Sequence, residues 1–339
     1  MGKKFVLSRD IGIDLGTASV LVYVQGEGIF MREPSVVAID KATDRVIKVG
    51  SEAQNMLGRT PDGIAALRPL KDGVINEYDV TLKMLQYFIR RGSAKTILPP
   101  RVMIAVPSSI SDVEERAILE ATAEAGARKT FLVPSPIAAA LGAGLDIRSP
   151  IGNMIVDIGG GVTEVAVISL GGIVISRKIS VGGDSFDAAI VKYVRDSYGV
   201  LIGERTAENI KKTIGEVYKH TTAKIIEVKG RDAVSGMPKT INISSKEMIQ
   251  ATYEPMTALI DCICEVIEHT PPELVGDILH NGILLVGGGA QLSGLDKLIH
   301  RVTGIKTKVA ENPTDCVVKG TAKKLESISK YSYDESAVK

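Results

Sequence analysis

Two short stretches of this chain follow one plan, and together they restrict the folds open to it. Ile11 to Val22 reads as an apolar strand ending in Asp14, a polar turn through Gly16, Thr17, Ala18 and Ser19, and a second apolar strand. Ile155 to Ile168 repeats the plan 143 residues later, with Asp157 in the place of Asp14 and Gly159, Gly160, Gly161 and Val162 in the turn. Apolar runs on either side of a glycine turn predict a hairpin. Such a turn leaves backbone N–H groups pointing outward as an anion-binding nest. Glycine lets a phosphate oxygen approach where a Cβ would block it. An Asp beside the nest repels phosphate unless a divalent cation lies between them, a place suited to Mg²⁺ with its retained waters. One such hairpin is an ordinary structural turn. Two, each followed by its own strand-rich half, predict two related α/β domains closing over one nucleotide.

A third glycine cluster extends the pattern. Ile283 to Val286 is a buried strand running into Gly287, Gly288, Gly289, Ala290 and Gln291, followed by an amphipathic segment from Leu295 to Val302. Backbone without side chains lets a flat base or ribose lie close, and a helix N-terminus favours negative charge. A Rossmann dinucleotide site needs GxGxxG directly after the first strand. Asp14-Leu-Gly-Thr-Ala-Ser19 does not supply it.

Caps place the helices. Ser111 and Glu114 form a capping box that opens a helix ending at Gly126. Ser244 and Glu247 open a long helix that stops before Pro271 and is expected to kink at Pro255. A helix beginning at Thr206 turns Ile210, Ile214 and Val217 to one side and Glu208, Lys211 and Lys212 to the other. Pro136 to Gly144 and Val317 to Ala322 are helical stretches of small residues, suited to a close helix crossing at a hinge.

Composition fits a parallel sheet covered by helices: aromatics are only 4% and Trp is absent, so Ile, Val, Leu and Ala must make the core. The 41 Lys+Arg nearly cancel the 40 Asp+Glu, and no basic run exceeds two residues, so no nucleic-acid partner is expected. Three cysteines without framework spacing point to a reducing compartment, with Cys262 and Cys264 on different faces of a helix as core filler. The four His are scattered without metal-ligand spacing. No signal peptide or bilayer-length apolar run is found, and a cytoplasmic chain is expected.

Taken in order, these elements resemble the actin/Hsp70/sugar-kinase superfamily, and the likeness narrows to the MreB/Mbl bacterial actins over nearly the whole chain. The residues that carry it are 10–18, Glu33-Pro-Ser-Val-Val37, Arg68 to Ile75, Gly152 to Gly161, Gly203 to Glu208, Thr270 to Leu274 and Leu285 to Ala290. Gly230 to Gly236 and Val309 to Cys316 are similar to the Mbl branch. The resemblance implies an actin-like ATPase fold: two duplicated ribonuclease-H-like α/β domains with small inserted subdomains. It implies four subdomains: 1–36 with 70–149 and 318–339; 37–69; 150–185 with 250–317; and 186–249. It implies ATP and Mg²⁺ as cofactors. Gly16, Thr17, Ala18 and Ser19 would serve as the first phosphate loop, and Gly159, Gly160, Gly161 and Val162 as the second. Glu208, Asn209, Ile210 and Lys211 would lie along the ribose and base, and Gly287, Gly288, Gly289, Ala290 and Gln291 would back the adenosine. Asp14 and Asp157 would hold the water shell of Mg²⁺, with Asp157 also at the hydrolytic end.

Four positions depart from the family pattern. Ser19 stands where Asn is usual, Val162 where Thr is usual and Val317 where Ala is usual. Ser135, in Val133-Pro-Ser-Pro136, stands where the family carries the Glu that orients the attacking water. Serine is no carboxylate base at neutral pH, and loss of a positioned base costs about 10²–10⁴ in rate, or ~3–5 kcal/mol of barrier. Normal ATP binding with slow or absent hydrolysis is expected.

In the same family a hydrophobic loop, and sometimes the N-terminus, inserts into the inner leaflet of the cytoplasmic membrane. Here that loop holds Ile97 and Leu98, worth at most ~3–6 kcal/mol together on full burial, and Lys3 and Lys4 near Phe5, Val6 and Leu7 would add about 1 kcal/mol each on anionic lipid. A homopolymer multiplies such weak contacts, and head-to-tail growth needs two different complementary surfaces. The resemblance also implies the cell-wall elongation machinery as partner and cell-shape control as role. The competing superfamily readings are a sugar or acetate kinase, for which Val102 to Ser108 offers no base, and an Hsp70-like chaperone, for which the residues after 322 leave no peptide-binding domain.

Overall fold

The structure, a computed structural model, describes residues 7–94, 96–219 and 222–334, with side chains to residue 328. The expected N-terminal contribution of Lys3, Lys4, Phe5 and Val6 lies outside the described residues. The chain divides into two compact units, Met1–Ser149 with Thr314–Lys339, and Pro150–Pro313.

The first unit is built on five strands in the order Lys129–Pro134, Arg101–Val106, Asp10–Leu15, Ser19–Val24, Gly28–Pro34. The last three form an antiparallel meander, and Arg101–Val106 and Lys129–Pro134 are added in parallel to Asp10–Leu15. Ile11, Ile13, Val20, Val22, Val102 and Ile104 are wholly buried, as strands covered on both faces require. The Tyr78–Gly92 helix turns Val80, Met84, Leu85, Phe88 and Ile89 inward at the 3.6-residue period and closes this core. Truncating one such side chain to Ala costs about 2–5 kcal/mol. A small antiparallel sheet of Val37–Asp40 between Arg45–Val49 and Ile64–Leu67 rests on a separate cluster of Val36, Ala38 and Ala53. The Ser135–Ala143 and Cys316–Asp334 helices cross with their backbones in contact, because a Cβ on Gly142 would run into the Cys316 carbonyl and one on Gly320 into that of Ala138. Both helices belong to this unit.

The second unit repeats the sheet. Its order is Gly172–Ile179, Thr163–Ser169, Asn153–Ile158, Ile283–Val286, Thr307–Val309, again an antiparallel meander with two parallel strands added beside its first strand. The Tyr253–Glu268 helix packs Met256, Leu259, Cys262, Ile263 and Val266 into the core. Burial pushes the Cys262 thiol up to about 11, while Cys264 is half-exposed, so the two cysteines do face differently. A second small sheet, Val200–Leu201, Ile225–Asp232 and Pro238–Ser244, packs with the Gly183–Tyr198 and Glu204–Ile214 helices around Ile190, Val194, Ile210, Val228 and Ile243.

Two helices differ from expectation. The Ser111 capping box is present, with the Ser111 N–H donating to Glu114 at 2.9 Å, and the Asp112–Glu124 helix ends just before Gly126 as expected. Ser244 also caps with Glu247, yet the helix it opens runs only Ser245–Ala251. A new helix starts at Tyr253, so the expected kink at Pro255 is instead a break at Thr252. Pro255 has no N–H to give the Ala251 carbonyl and its ring crowds that group, so the first helix stops and the proline sits in the first turn of the next. The helix expected from Thr206 starts at Glu204, and Val217 lies buried beyond its end.

Candidate functional site

The two turns singled out above have one backbone design. In the first unit the Gly16 N–H donates to the Ser19 carbonyl at 3.1 Å, and in the second the Gly159 N–H donates to the Val162 carbonyl at 2.9 Å. The N–H groups of Thr17 and Ala18, and of Gly160 and Gly161, have no acceptor among the described residues. Each turn therefore presents a short row of unspent donors, the arrangement that holds an anion. Asp14 and Asp157 each lie two residues before the glycine that closes the turn, at the penultimate position of their strands.

The two acids are differently surrounded. Asp14 pairs in register with Leu21 and Ala105, and burial alone pushes its carboxyl up to about 7. A cation beside it would return it to the ionised form. Asp157 pairs in register with Glu164 and Val286. A Cβ on Gly287 would stand 2.6 Å from the Asp157 Oδ1, so the third glycine cluster is folded against this acid. Among the described residues no group of three or more His, Cys, Asp or Glu gathers to hold a metal. A divalent cation at either Asp would draw most of its ligands from water and from a bound phosphate, which suits Mg²⁺.

The supports of the turns were not read from the sequence. Ser35 is fully buried; its hydroxyl donates to the Gly16 carbonyl and its N–H to the Ala18 carbonyl at 3.0 Å. Thr17 is buried, and its hydroxyl accepts the Gly73 N–H at 2.9 Å. Gly73 reaches it from a two-residue hairpin turn in which Asp72 has φ 50° and Gly73 φ 79°. That turn requires positive φ at both positions, and the Asp-Gly pair was its available signal. Ser19 is exposed at the start of its strand. In the second unit the Gly183 N–H donates to the Gly159 carbonyl at 3.0 Å and the Asp184 N–H to the Gly160 carbonyl at 2.8 Å. The signal there was a Gly-Gly-Asp run between a strand and an amphipathic helix.

Ser135 opens the Ser135–Ala143 helix, straight after the edge strand Lys129–Pro134. Val162 is half-buried at the end of its turn. On the Glu204–Ile214 helix, Glu208 pairs with Lys212, Asn209 is exposed, and Ile210 is core. The Lys211 ammonium lies on the Gly183 carbonyl at 2.7 Å and the Asp187 carboxylate at 2.8 Å. In the third cluster Ala290 is buried, Gln291 is exposed, and a Cβ on Gly287 or Gly289 would strike Ile158. Only Gly288 of the three glycines faces open space. Ile97 is 68% exposed and Leu98 39%, on a loop tied to the preceding chain by the Leu98 N–H donating to the Leu7 carbonyl at 2.8 Å.

Comparison with known proteins places this architecture. The MreB/Mbl protein family model matches residues 8–333. The cell shape-determining protein Mbl of Bacillus subtilis (strain 168) is 48% identical over 326 residues, covering 96% of this chain and 98% of that protein. The cell shape-determining protein MreB of Escherichia coli (strain K12) is 49% identical, covering 98% and 99%. The crystal structure of MreB5 of Spiroplasma citri bound to ADP superposes with a TM-score of 0.92 at 39% identity, covering 96% of this chain and 98% of that one. MreB5 has also been solved bound to AMPPNP. A MamK double helical filament, 22% identical with a TM-score of 0.79, shares the fold. The chain belongs to the MreB/Mbl family and has its actin-like fold.

Proposed function

We propose that this chain is an ATP-binding bacterial actin that forms filaments on the inner face of the cytoplasmic membrane and acts with the cell-wall elongation machinery to set cell shape. The observation that carries the nucleotide is the pair of equivalent turns, each with unspent N–H donors and an Asp two residues before its closing glycine. ADP and AMPPNP in the related MreB5 support the same ligand class here. Gly16 to Ser19 and Gly159 to Val162 would bind phosphate oxygens through their N–H groups. Asp14 and Asp157 would hold Mg²⁺ through its waters, and Glu208 would face the ribose. Magnesium, when bound, neutralises phosphate charge and polarises the terminal phosphoryl group. The four subdomains would follow the boundaries given by the resemblance.

Hydrolysis would be slow. Ser135 has no carboxylate with which to orient water, and Val162 brings no hydroxyl to the second turn. The nucleotide would then act chiefly as an assembly ligand. Membrane attachment would use Ile97 and Leu98, whose exposure leaves their apolar surface available, multiplied along the polymer. No helix among the described residues is long and apolar enough to cross a membrane.

Negative-stain microscopy of the purified chain with Mg·ATP tests the assignment. Filaments are expected, and a monodisperse field at every protein concentration and nucleotide condition contradicts it. Pelleting with anionic liposomes should drop for an Ile97→Ser, Leu98→Ser variant; unchanged pelleting removes that loop from the account.

A further inference from the structure

The segment Val181–Asp184 is stitched to the second turn along its whole length. The Thr163 hydroxyl donates to the Val181 carbonyl at 2.7 Å, and the Gly183 and Asp184 N–H groups donate to the Gly159 and Gly160 carbonyls. These two donors belong to the first turn of the Gly183–Tyr198 helix, where N–H groups otherwise lack partners. They are spent on the glycine turn. The approach is so close that a Cβ on Gly182 would stand 2.6 Å from the Gly160 oxygen and 2.8 Å from the Gly159 oxygen.

The Gly183 peptide is held from its other side as well. Its carbonyl accepts from the Lys211 ammonium at 2.7 Å, and the same ammonium reaches the Asp187 Oδ2 at 2.8 Å, one helical turn further along. Both side chains are nearly buried, at 13% and 10% exposure. The second Asp187 oxygen, Oδ1, is buried with no hydrogen-bond partner among the described residues. Leaving a buried carboxylate oxygen unpaired is costly, so the arrangement calls for a reason. Burial outweighs the pull of Lys211 and lifts the Asp187 carboxyl to about 6, with Glu208 and Asp184 adding to the rise. The family resemblance sends Lys211 to the ribose and base, but here two of its three donors are taken by the protein.

We propose that Asp187 and Lys211 form a buried latch that holds the Gly183 peptide, and through it the Gly159–Val162 turn, in the shape that receives a phosphate. They are positioning residues, and the inference rests on the nucleotide reading given above. It differs from a ribose contact in what it predicts. A latch fails when either member is lost, and losing the second costs little more. A ribose contact needs Lys211 alone.

Titration of Mg·ATP and of AMP into the full chain and into Asp187→Ala, Lys211→Ala and the double variant separates the two. The latch predicts about tenfold weaker ATP binding for each single variant and about the same for the double variant. AMP, with fewer phosphate contacts to lose, should weaken less than about twofold. Each of four results overturns the proposal: wild-type ATP affinity in Asp187→Ala, a loss confined to Lys211→Ala, a double variant near a hundredfold weaker, or equal losses for ATP and AMP. A thermal melt confirms folding of each variant. Should Asp187→Ala not fold, Asp187→Asn replaces it, where unchanged ATP affinity overturns the latch and a loss of about threefold or more upholds it. A wild-type chain that binds no ATP is a separate result and defeats the nucleotide reading itself.

Discussion

The two turns share a backbone and differ in what holds them. In the first unit hydroxyl side chains carry most of the support, Ser35 under Gly16 and Thr17 against the Gly73 N–H, with one backbone bond from the Ser35 N–H to the Ala18 carbonyl. In the second it is a backbone clasp, Gly183 and Asp184 on Gly159 and Gly160, backed by the buried Lys211–Asp187 pair. The sheets beneath them are duplicates in order and direction. The duplication therefore preserves what presents the donors, while the means of bracing them has diverged. A hydroxyl brace is one hydrogen bond, worth about 1 kcal/mol. A backbone clasp leaves no room for a side chain, so its failure is all or nothing.

The largest effect should come from breaking the clasp. Gly182→Val would push a side chain into the Gly159 and Gly160 carbonyls, and backbone on both sides cannot give. ATP binding by calorimetry should fall by about a hundredfold, the upper end of overpacking costs of ~1–3 kcal/mol. Gly16→Ala meets a single oxygen, that of Ser19 at 2.8 Å, and should lose clearly less. Next come Ser135→Glu and Val162→Thr together, one change in each unit. Phosphate release should rise by about tenfold or more, since a positioned base is worth ~10²–10⁴, and Ser135→Glu alone should give most of the gain. An unchanged rate would remove the weakened-hydrolysis reading. Asp14→Ala and Asp157→Ala should each abolish most of the magnesium dependence of ATP binding. Because desolvation raises the Asp14 carboxyl, its loss should also raise the melting temperature of the nucleotide-free chain. The smallest effect is expected from Ser35→Ala, at about a fivefold loss of ATP affinity, equivalent to ~1 kcal/mol.

Local patterns carried much of this into the sequence. Apolar runs around Gly16 and Gly159 were enough to place both hairpins, and the Ser111–Glu114 pair placed a helix start. Ser35 was visible only as part of a motif, because its target is 19 residues away and a serine between two strands has no pattern of its own. The helix pattern set Lys211 opposite Ile210 and Ile214, and the resemblance sent it to the ribose and base. Its partners at Gly183 and Asp187 lie 28 and 24 residues earlier and meet it only after folding. The glycines at 287 and 289 suggested space for a ligand, yet it is Ile158 and Asp157 that need the room. Pro255 was expected to bend one helix but separates two. Propensity marks a weak point, whereas Thr252, buried with its hydroxyl on the Met248 carbonyl at 2.7 Å, shows where the chain turns.

Titration calorimetry of ATP into the purified chain, with and without magnesium, decides whether the paired acidic turns bind phosphate. One nucleotide per chain is expected, bound much more tightly with the metal than without it. No detectable heat, or an affinity indifferent to magnesium, would contradict the assignment of the paired acidic turns as a phosphate site.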